Sequence, residues 1–479
     1  MRHSFRLAAL TALLTSTAAF AATTGTTGGG VAYDTYQPSL ALTEILTYNG
    51  IYPAGSSGGL SDGATSLAIG MIRSFAGSYA PGNTAADGRA LTPGNAALAQ
   101  VLGGHYGGGA AVPDLRGATI VGAAAGTRGA VAGYAVGVAS GSATMTLGAE
   151  NLPAHVHGLA GGTTTAVGNG APIDNRQPSL AMTYLIAAGG IYPGGGSVPV
   201  MIGQVQAFAG DFVPGGWRFA DGSLLDIASH GDLFAVIGTT YGGDGIVDFR
   251  LPDLIGRTVI GAGSGTALGG VYGTASTVLT LGQLPSHGHD LPGGGVTDAT
   301  GGAMPIDNLQ PSLALNYLVT TSGAFPSTRD GLDGDLPYLG EVTAFAGNFL
   351  PRDYALADGR LLSIAQNTTL FAILGTTYGG DGVRNFALPD LRGRTIVGTS
   401  AMLPAGTRLG SATTTLGVAN LPGHEHALVA GVPEPGTWAL LIAGFGAVGA
   451  AARRQRTARS GARRTPLFLQ SWRWLSLNP

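Results

Sequence analysis

One segment recurs three times along this chain. Gln37-Pro38-Ser39-Leu40-Ala41 returns as Gln177-Pro178-Ser179-Leu180-Ala181 and as Gln310-Pro311-Ser312-Leu313-Ala314. Each is followed by an apolar run and then by Ile51-Tyr52-Pro53, Ile191-Tyr192-Pro193 or Ala324-Phe325-Pro326. Next come Ser74-Phe75-Ala76-Gly77, Ala207-Phe208-Ala209-Gly210 and Ala344-Phe345-Ala346-Gly347, then Asp87-Gly88, Asp221-Gly222 and Asp358-Gly359. The period is about 135 residues, far longer than a solenoid repeat. Each copy is therefore expected to be a domain with its own core, three beads on one chain.

Composition says what such a bead is made of. Glycine supplies 83 of 479 residues and charged residues only 11%, against roughly 25% in an ordinary globular domain. The glycines keep no G-X-Y period, which excludes collagen. Strong helix formers are too few for a helical architecture, so the expected class is mainly β with short helices (α+β) and low helix content. In the third copy, residues 339–345 and 354–357 read as strands and Asp358-Gly359 as the turn between elements. Residues 367–374 read as a short helix stopped by a left-handed Gly375, as residues 233–237 are by Gly238 and 98–102 by Gly103. A Gly-rich loop from Thr376 to Gly382 and the run Phe386 to Arg394 then lead to an apolar strand at 395–397.

Both ends read as processing signals. Met1 to Arg6 precede an apolar run from Leu7 to Phe20 and a small-x-small site at Ala19-Phe20-Ala21, which predicts a signal peptide over 1–21 and export. Near the other end, Val432-Pro433-Glu434-Pro435-Gly436 is followed by an apolar stretch over 437–452 and by Arg453, Arg454 and Arg456. An apolar segment stopped by arginines is expected to sit in the inner membrane as a transmembrane segment with its basic flank inside the cell. These residues, 432–456, resemble the PEP-CTERM sorting signal. That resemblance implies cutting by an exosortase-type processing enzyme and passage to the cell surface or extracellular matrix, with transient anchoring in the inner membrane. A basic tail, residues 457–479, follows the arginines where such proteins usually stop.

Between those ends, residues 22–431 hold 15 arginines, no lysine and 26 acidic residues, a formal balance of −11. That balance argues against nucleic acid as a partner, because neutralising phosphate dominates such binding. Cysteine is absent, which excludes disulfides, thiolate metal sites and cysteine nucleophiles.

Phe345-Ala346-Gly347, Ala357-Asp358-Gly359, Leu370-Phe371 through Gly382, and Leu388-Pro389-Asp390-Leu391-Arg392-Gly393-Arg394 resemble the phage tail collar domain. Pro305 through Tyr317 is similar to the closing segment of the microcystin-dependent protein family. Copy one departs most, with Gly109-Ala110 in place of the loop's Asp-Gly and Ala118 in place of its second arginine. The expected modules are tail-collar-like repeats over 30–160, 161–293 and 294–430. The resemblance implies a mainly β fold met in tail fibres, often trimeric, and no catalytic activity.

Six of the nine histidines fall into three alike settings: His155 and His157, His287 and His289, His424 and His426, each pair after Asn/Gln-Leu-Pro. In an extended strand, residues i and i+2 share a face about 7 Å apart, so each pair offers half a metal site. Three pairs around an axis would give six imidazoles, a shell for a divalent transition metal, iron or zinc. Tail fibres bind iron with His-x-His pairs from three chains, so the resemblance implies the same here. With three pairs in one chain, two arrangements stay open: one chain folded back as an intramolecular pseudo-trimer with one site, or a homotrimer in register with three. The plainer reading of each pair is a solvated strand end or a packing signature. His105 and His230 occur in single copies and read as surface residues.

Catalytic readings fare worse. Gly55-Ser56-Ser57-Gly58-Gly59 fits G-x-S-x-G but lies in a Gly/Ser loop rather than between strand and helix. Without lysine there is no P-loop. Asp87, Asp221 and Asp358 read as turn residues and Asp114, Asp253 and Asp390 as loop residues; paired carboxylates for a glycan-active enzyme stay the weak alternative. The expectation is a surface or matrix structural protein, adhesin-like and not an enzyme. The alternatives are a module binding a cell-surface or matrix polysaccharide, and a phage tail fibre component, which a secretory signal disfavours.

Overall fold

The fold comes from a computed structural model that describes residues 22–48, 52, 67–109, 111–124, 134–160, 162–193, 200–326, 337–428 and 453. The expected signal peptide 1–21, the sorting segment apart from Arg453, the tail 457–479 and the Gly55 to Gly59 loop lie outside the described residues. Among the described residues no helix is long and apolar enough to cross a membrane. The segment 437–452, expected to cross the membrane, lies outside them.

Three strands per copy build the frame. They are β1 (Ser39–Leu46), β2 (Met71–Phe75) and β3 (Thr119–Gly122), then β4 (Ser179–Ala187), β5 (Gln204–Phe208) and β6 (Thr258–Gly261), then β7 (Ser312–Thr320), β8 (Glu341–Phe345) and β9 (Thr395–Gly398). β1, β4 and β7 are buried on both faces along nearly their whole length. That is why their sequence is a near-continuous apolar run rather than an alternation.

Within a copy the pairing is antiparallel: Thr43 faces Phe75, Thr183 faces Phe208 and Asn316 faces Phe345. Between copies it is parallel and cyclic. β3 pairs with β4 from Thr119 opposite Ser179, β6 with β7 from Thr258 opposite Ser312, and β9 with β1 from Thr395 opposite Ser39. The last pairing returns to the first copy and closes the circle. β2, β5 and β8 also pair with one another in a triangle, Ala207 with Ile72, Val205 with Ala344 and Val342 with Ser74.

The three copies are therefore not beads. The largest apolar cluster unites Leu40 and Ile45 with Ile186 and Phe249 and with Leu318 and Phe386, one pair from each copy. Loop-closure cost explains why this works in one chain: connections of the observed length cost little more than short ones, while each exchanged strand satisfies a ladder of backbone groups.

Side chains on the pseudo-threefold axis repeat the same logic. The hydroxyls of Thr119, Thr258 and Thr395 form a triangle with sides of 3.0 to 3.1 Å. The repeated Gln-Pro-Ser has a role here as well. The Gln37 N–H donates to Gln177 Oε1 and the Gln310 N–H to Gln37 Oε1, each at 3.0 Å, so one copy's glutamine caps the next copy's backbone. Gly122, Gly261 and Gly398 end the strands nearest the axis, where a Cβ would fall 1.8 to 2.0 Å from the carbonyl oxygens of Leu254, Leu391 and Leu115. No side chain fits there.

The short helices fall where expected: α1 (Ala96–Leu102), α2 (Gly231–Ile237) and α3 (Thr368–Leu374). Each buries an i, i+3, i+4 triple, Leu98, Val101 and Leu102 in α1 and its counterparts in the others. Gly103 is left-handed, whereas Gly238 and Gly375 pair φ near +55° with ψ near −137°, a region open only to glycine. The cap at Gly375 therefore differs from the left-handed one expected.

Because the circle closes within one chain, light scattering on residues 22–431 is expected to give the mass of one chain. A threefold mass would show that the strands are exchanged between chains instead.

Candidate metal centre

Each histidine pair is set by the same local device. A single 3-10 turn ends at Asn151, Gln283 or Asn420, whose side-chain oxygen accepts the N–H of Gly148, Thr280 or Gly417 at 2.8 to 2.9 Å. The next residue, Leu152, Leu284 or Leu421, is fully buried in an apolar cluster drawn equally from the three copies. Proline then turns the chain, and the first histidine follows.

A neighbouring segment holds each pair from the other side. His155 bridges to Val167, His287 to Thr300 and His424 to Thr27. The second histidine's N–H donates to a threonine hydroxyl at 3.0 Å: His157 to Thr164, His289 to Thr297, His426 to Thr24. For the first two pairs that threonine lies just downstream. For the last it lies at the start of the chain, so residues 23–27 complete the third pair.

All six rings meet on the axis. His155, His287 and His424 form one triangle, with ring centroids 5.2 to 5.3 Å apart. His157, His289 and His426 form a second, at 4.7 to 4.8 Å. None is more than 5% exposed, which corrects the solvated-strand-end reading. Within a pair the centroids are 5.4 to 5.5 Å apart, closer than the expected 7 Å, because the rings lean together toward the axis.

Hydrogen bonding fixes which nitrogen is available. Every Nδ1 lies against a backbone carbonyl at 2.8 to 3.0 Å: Pro153, Pro285 and Pro422 for the first triangle, Asp298, Gly25 and Thr165 for the second. A carbonyl only accepts, so each Nδ1 carries the proton and each Nε2 a bare lone pair. The Nε2 atoms of His155, His157, His289 and His426 are buried with no hydrogen-bond partner, and those of His287 and His424 face each other at 3.3 Å. Two bare acceptors at that distance repel. Burial, with the neighbouring imidazoles, pushes His155 and His289 down to about 4 and lowers His157 and His424 as well, so these rings are neutral near pH 7.

Six convergent imidazole nitrogens, four of them buried without a partner, fit a six-coordinate transition ion. Sets of three lie within 4.8 Å of one another, among them His155, His287 and His424. The backbone carbonyls behind them are the outer-shell acceptors that orient ligating imidazoles. Of the two arrangements left open by the sequence, the structure is the single folded-back chain with one cluster. Thr24, Gly25 and Thr27 were missed by sequence reading because they precede the first repeat; the threonine shared by residues 24, 164 and 297 was the available signal.

The remaining candidates lie elsewhere. His105 Nε2 lies 3.4 Å from an Asp211 oxygen, and His230 sits at the head of α2, its Nε2 3.2 Å from Arg218. The repeated aspartates do meet, Asp87 with Asp114, Asp221 with Asp253 and Asp358 with Asp390, as backbone bridges. Arg116, Arg360 and Arg392 grip Asp114, Asp358 and Asp390 and hold them below the usual carboxylate range, which suits a general acid poorly. Gly88, Gly222 and Gly359 are all at positive φ, and a Cβ added at any of them would fall about 3 Å from the facing aspartate, which explains the Asp-Gly repeat.

The family model for the Phage Tail Collar Domain matches residues 70–120, 203–259 and 340–396. The chain carries three phage tail collar domains. Each match runs from the start of one triangle strand to the strand it exchanges, from β2 to β3 in the first copy. The histidine cage lies outside all three matches. A PEP-CTERM protein-sorting motif matches residues 431–456. It marks an exported chain, displayed at the cell surface and processed at its C-terminal end by an exosortase-type enzyme. Neither the curated proteins nor the solved structures yield a match.

In metal-free protein, long-range 1H–15N NMR is expected to show the Nδ1–H tautomer for all six cage histidines. Nε2–H signals at three or more would contradict the geometry.

Proposed function

We propose that this chain is an exported structural protein that presents three fused collar domains at the cell surface as an adhesin-like head. In this reading it is not an enzyme, and it stands on a cage of six histidines holding one divalent transition ion, iron or zinc. The observation that carries the reading is where the cage lies. Ala22 and Leu428, the first and last residues of the described body, are joined by a backbone hydrogen bond of 2.7 Å beside it, and the sorting motif begins at residue 431. The cage is thus at the anchored base, where the chain ends must be held together against pulling. Three histidine pairs from three copies, bound to one ion, resist that separation.

The collar loops supply the contact surface. Ile246 and Val247 are 83% and 63% exposed and Val383 is 80% exposed, on Gly-rich loops of the second and third domains. Exposed apolar residues on loops carried by a rigid frame are a common form of contact site.

Elemental analysis of unchelated mature protein is expected to find one transition ion per chain. Its removal should lower the melting temperature by about 5 °C, the scale of a ligand bound far below its working concentration. His157→Ala with His289→Ala should lose the ion, and a metal-free wild type would overturn the cage reading. Cells producing a chain with Pro433 to Pro435 deleted are expected to lose surface display and attach less to substrata; unchanged attachment would overturn the adhesin-like role.

A further inference from the structure

The threefold pattern fails at one buried place. The strand register makes Glu44 opposite Ser74 in the first copy the counterpart of Tyr184 opposite Ala207 and of Tyr317 opposite Ala344. Both tyrosines reach across to the next strand: the Tyr184 hydroxyl donates to the Ile120 carbonyl at 3.4 Å and Tyr317 to Val259 at 3.3 Å. Glutamate is shorter than tyrosine and does not fill the third place. What remains is an axial cavity of about 40 Å³, lined among others by Glu44, Ser74, Tyr184, Tyr317, Thr119 and Thr395.

Glu44 is 93% buried, since only 7% of it is exposed, and its one side-chain partner is the Ser74 hydroxyl, 3.1 and 3.2 Å from its two oxygens. No arginine or histidine lines the cavity; Arg73, next to Ser74, is paired with Glu341 on the neighbouring strand. A lone carboxylate in such a place needs a counter-charge or must take up a proton. The polar side chains of the wall are rich in oxygen: one carboxylate, the Ser74 hydroxyl, two phenols and the hydroxyls of Thr119, Thr343 and Thr395, with the Gln206 amide beside them. A water needs about 10 to 15 Å³, so there is room for an ion of that size with one or two waters.

We propose that the axial cavity is a binding site for a monovalent alkali cation, sodium or potassium, with Glu44 as its counter-charge. Oxygen donors suit hard cations, and a single negative charge matches a single positive one. Binding is coupled to a proton: the cation enters as the Glu44 carboxyl gives up its hydrogen to solvent. Burial pushes Glu44 up to about 7, with the Ser74 hydrogen bond opposing. Without a cation the folded state therefore holds this proton more tightly than the unfolded chain. That contribution is complete below the ordinary glutamate range and is lost as pH rises through about 7. The groups facing Glu44 from the other elements, Tyr184 and Tyr317, stay neutral across this window, since burial raises both well above 10.

The test compares melting of the mature protein in sodium or potassium chloride with equal choline chloride. At pH 8 the alkali salts are expected to raise the melting temperature by about 3 °C; at pH 5.5 the salts should be equivalent. Equal melting at pH 8 would overturn the site. Glu44→Gln, and Glu44→Tyr with Ser74→Ala, which restores the tyrosine pattern, should abolish the difference; either one retaining it would overturn the assignment to Glu44. A measurement that needs no variant is proton release on adding sodium chloride to weakly buffered protein at pH 7, expected at about half a proton per chain. No release would overturn the coupling and with it the site.

Discussion

The parallel pairing of each copy's last strand with the next copy's first one holds the rest of the molecule in place. β3 on β4, β6 on β7 and β9 on β1 carry the same register, Thr opposite Ser at the start of each. Removing one copy would strand a ladder of backbone groups on each neighbour, and unsatisfied buried backbone is among the costliest defects a fold can hold. The threonine triangle, the glutamine caps and the histidine cage lie on the axis those pairings define. A circle of three is complete where three beads would leave three open edges.

The same closure makes the two ends of the axis different in character. Base and head have separate apolar clusters, that of the base built from Tyr33, Leu147, Ile173 and their counterparts, those of the head from the collar strands and helices. The base ties the chain's first described segment to its last, through Thr24 on His426 and Thr27 on His424, and to the second copy through Gly25 on His289. A base that joins all three copies and exposed loops at the head suit the surface-displayed chain that the sorting motif marks.

Much of this was legible in the sequence, and the parts that were not share one cause. Helix positions and the Asp-Gly turns are local patterns that spacing reached, and the collar domains were reached by the resemblance of their local motifs. The exchange of strands is non-local: Thr395 meets Ser39 across most of the chain, and nothing in either segment's apolar run names its partner. The histidine pairs were visible as candidates because three equal settings repeat. For His157, His289 and His426 the orientation of the ring became readable only from the carbonyls of Asp298, Gly25 and Thr165 in other segments. Expecting beads was reasonable for a long repeat; it failed because each copy lacks a strand of its own core.

Fusing three domains into one chain also permits what a homotrimer forbids. In a homotrimer every axial residue appears three times, so a buried charge near the axis meets copies of itself. Here the register sets Arg73 beside Glu341 where the third copy meets the first, with the guanidinium 4.4 Å from the centre of the Tyr338 ring. The equivalent positions at the other two junctions carry Met71 with Gln206 and Gln204 with Thr343, uncharged pairs. Three first copies assembled alone would bury three unpaired arginines, and three third copies three unpaired glutamates, each a large penalty. The ion pair therefore acts less as glue than as an address: it makes the correct closure, third copy onto first, the one arrangement in which Arg73 and Glu341 are buried as a pair.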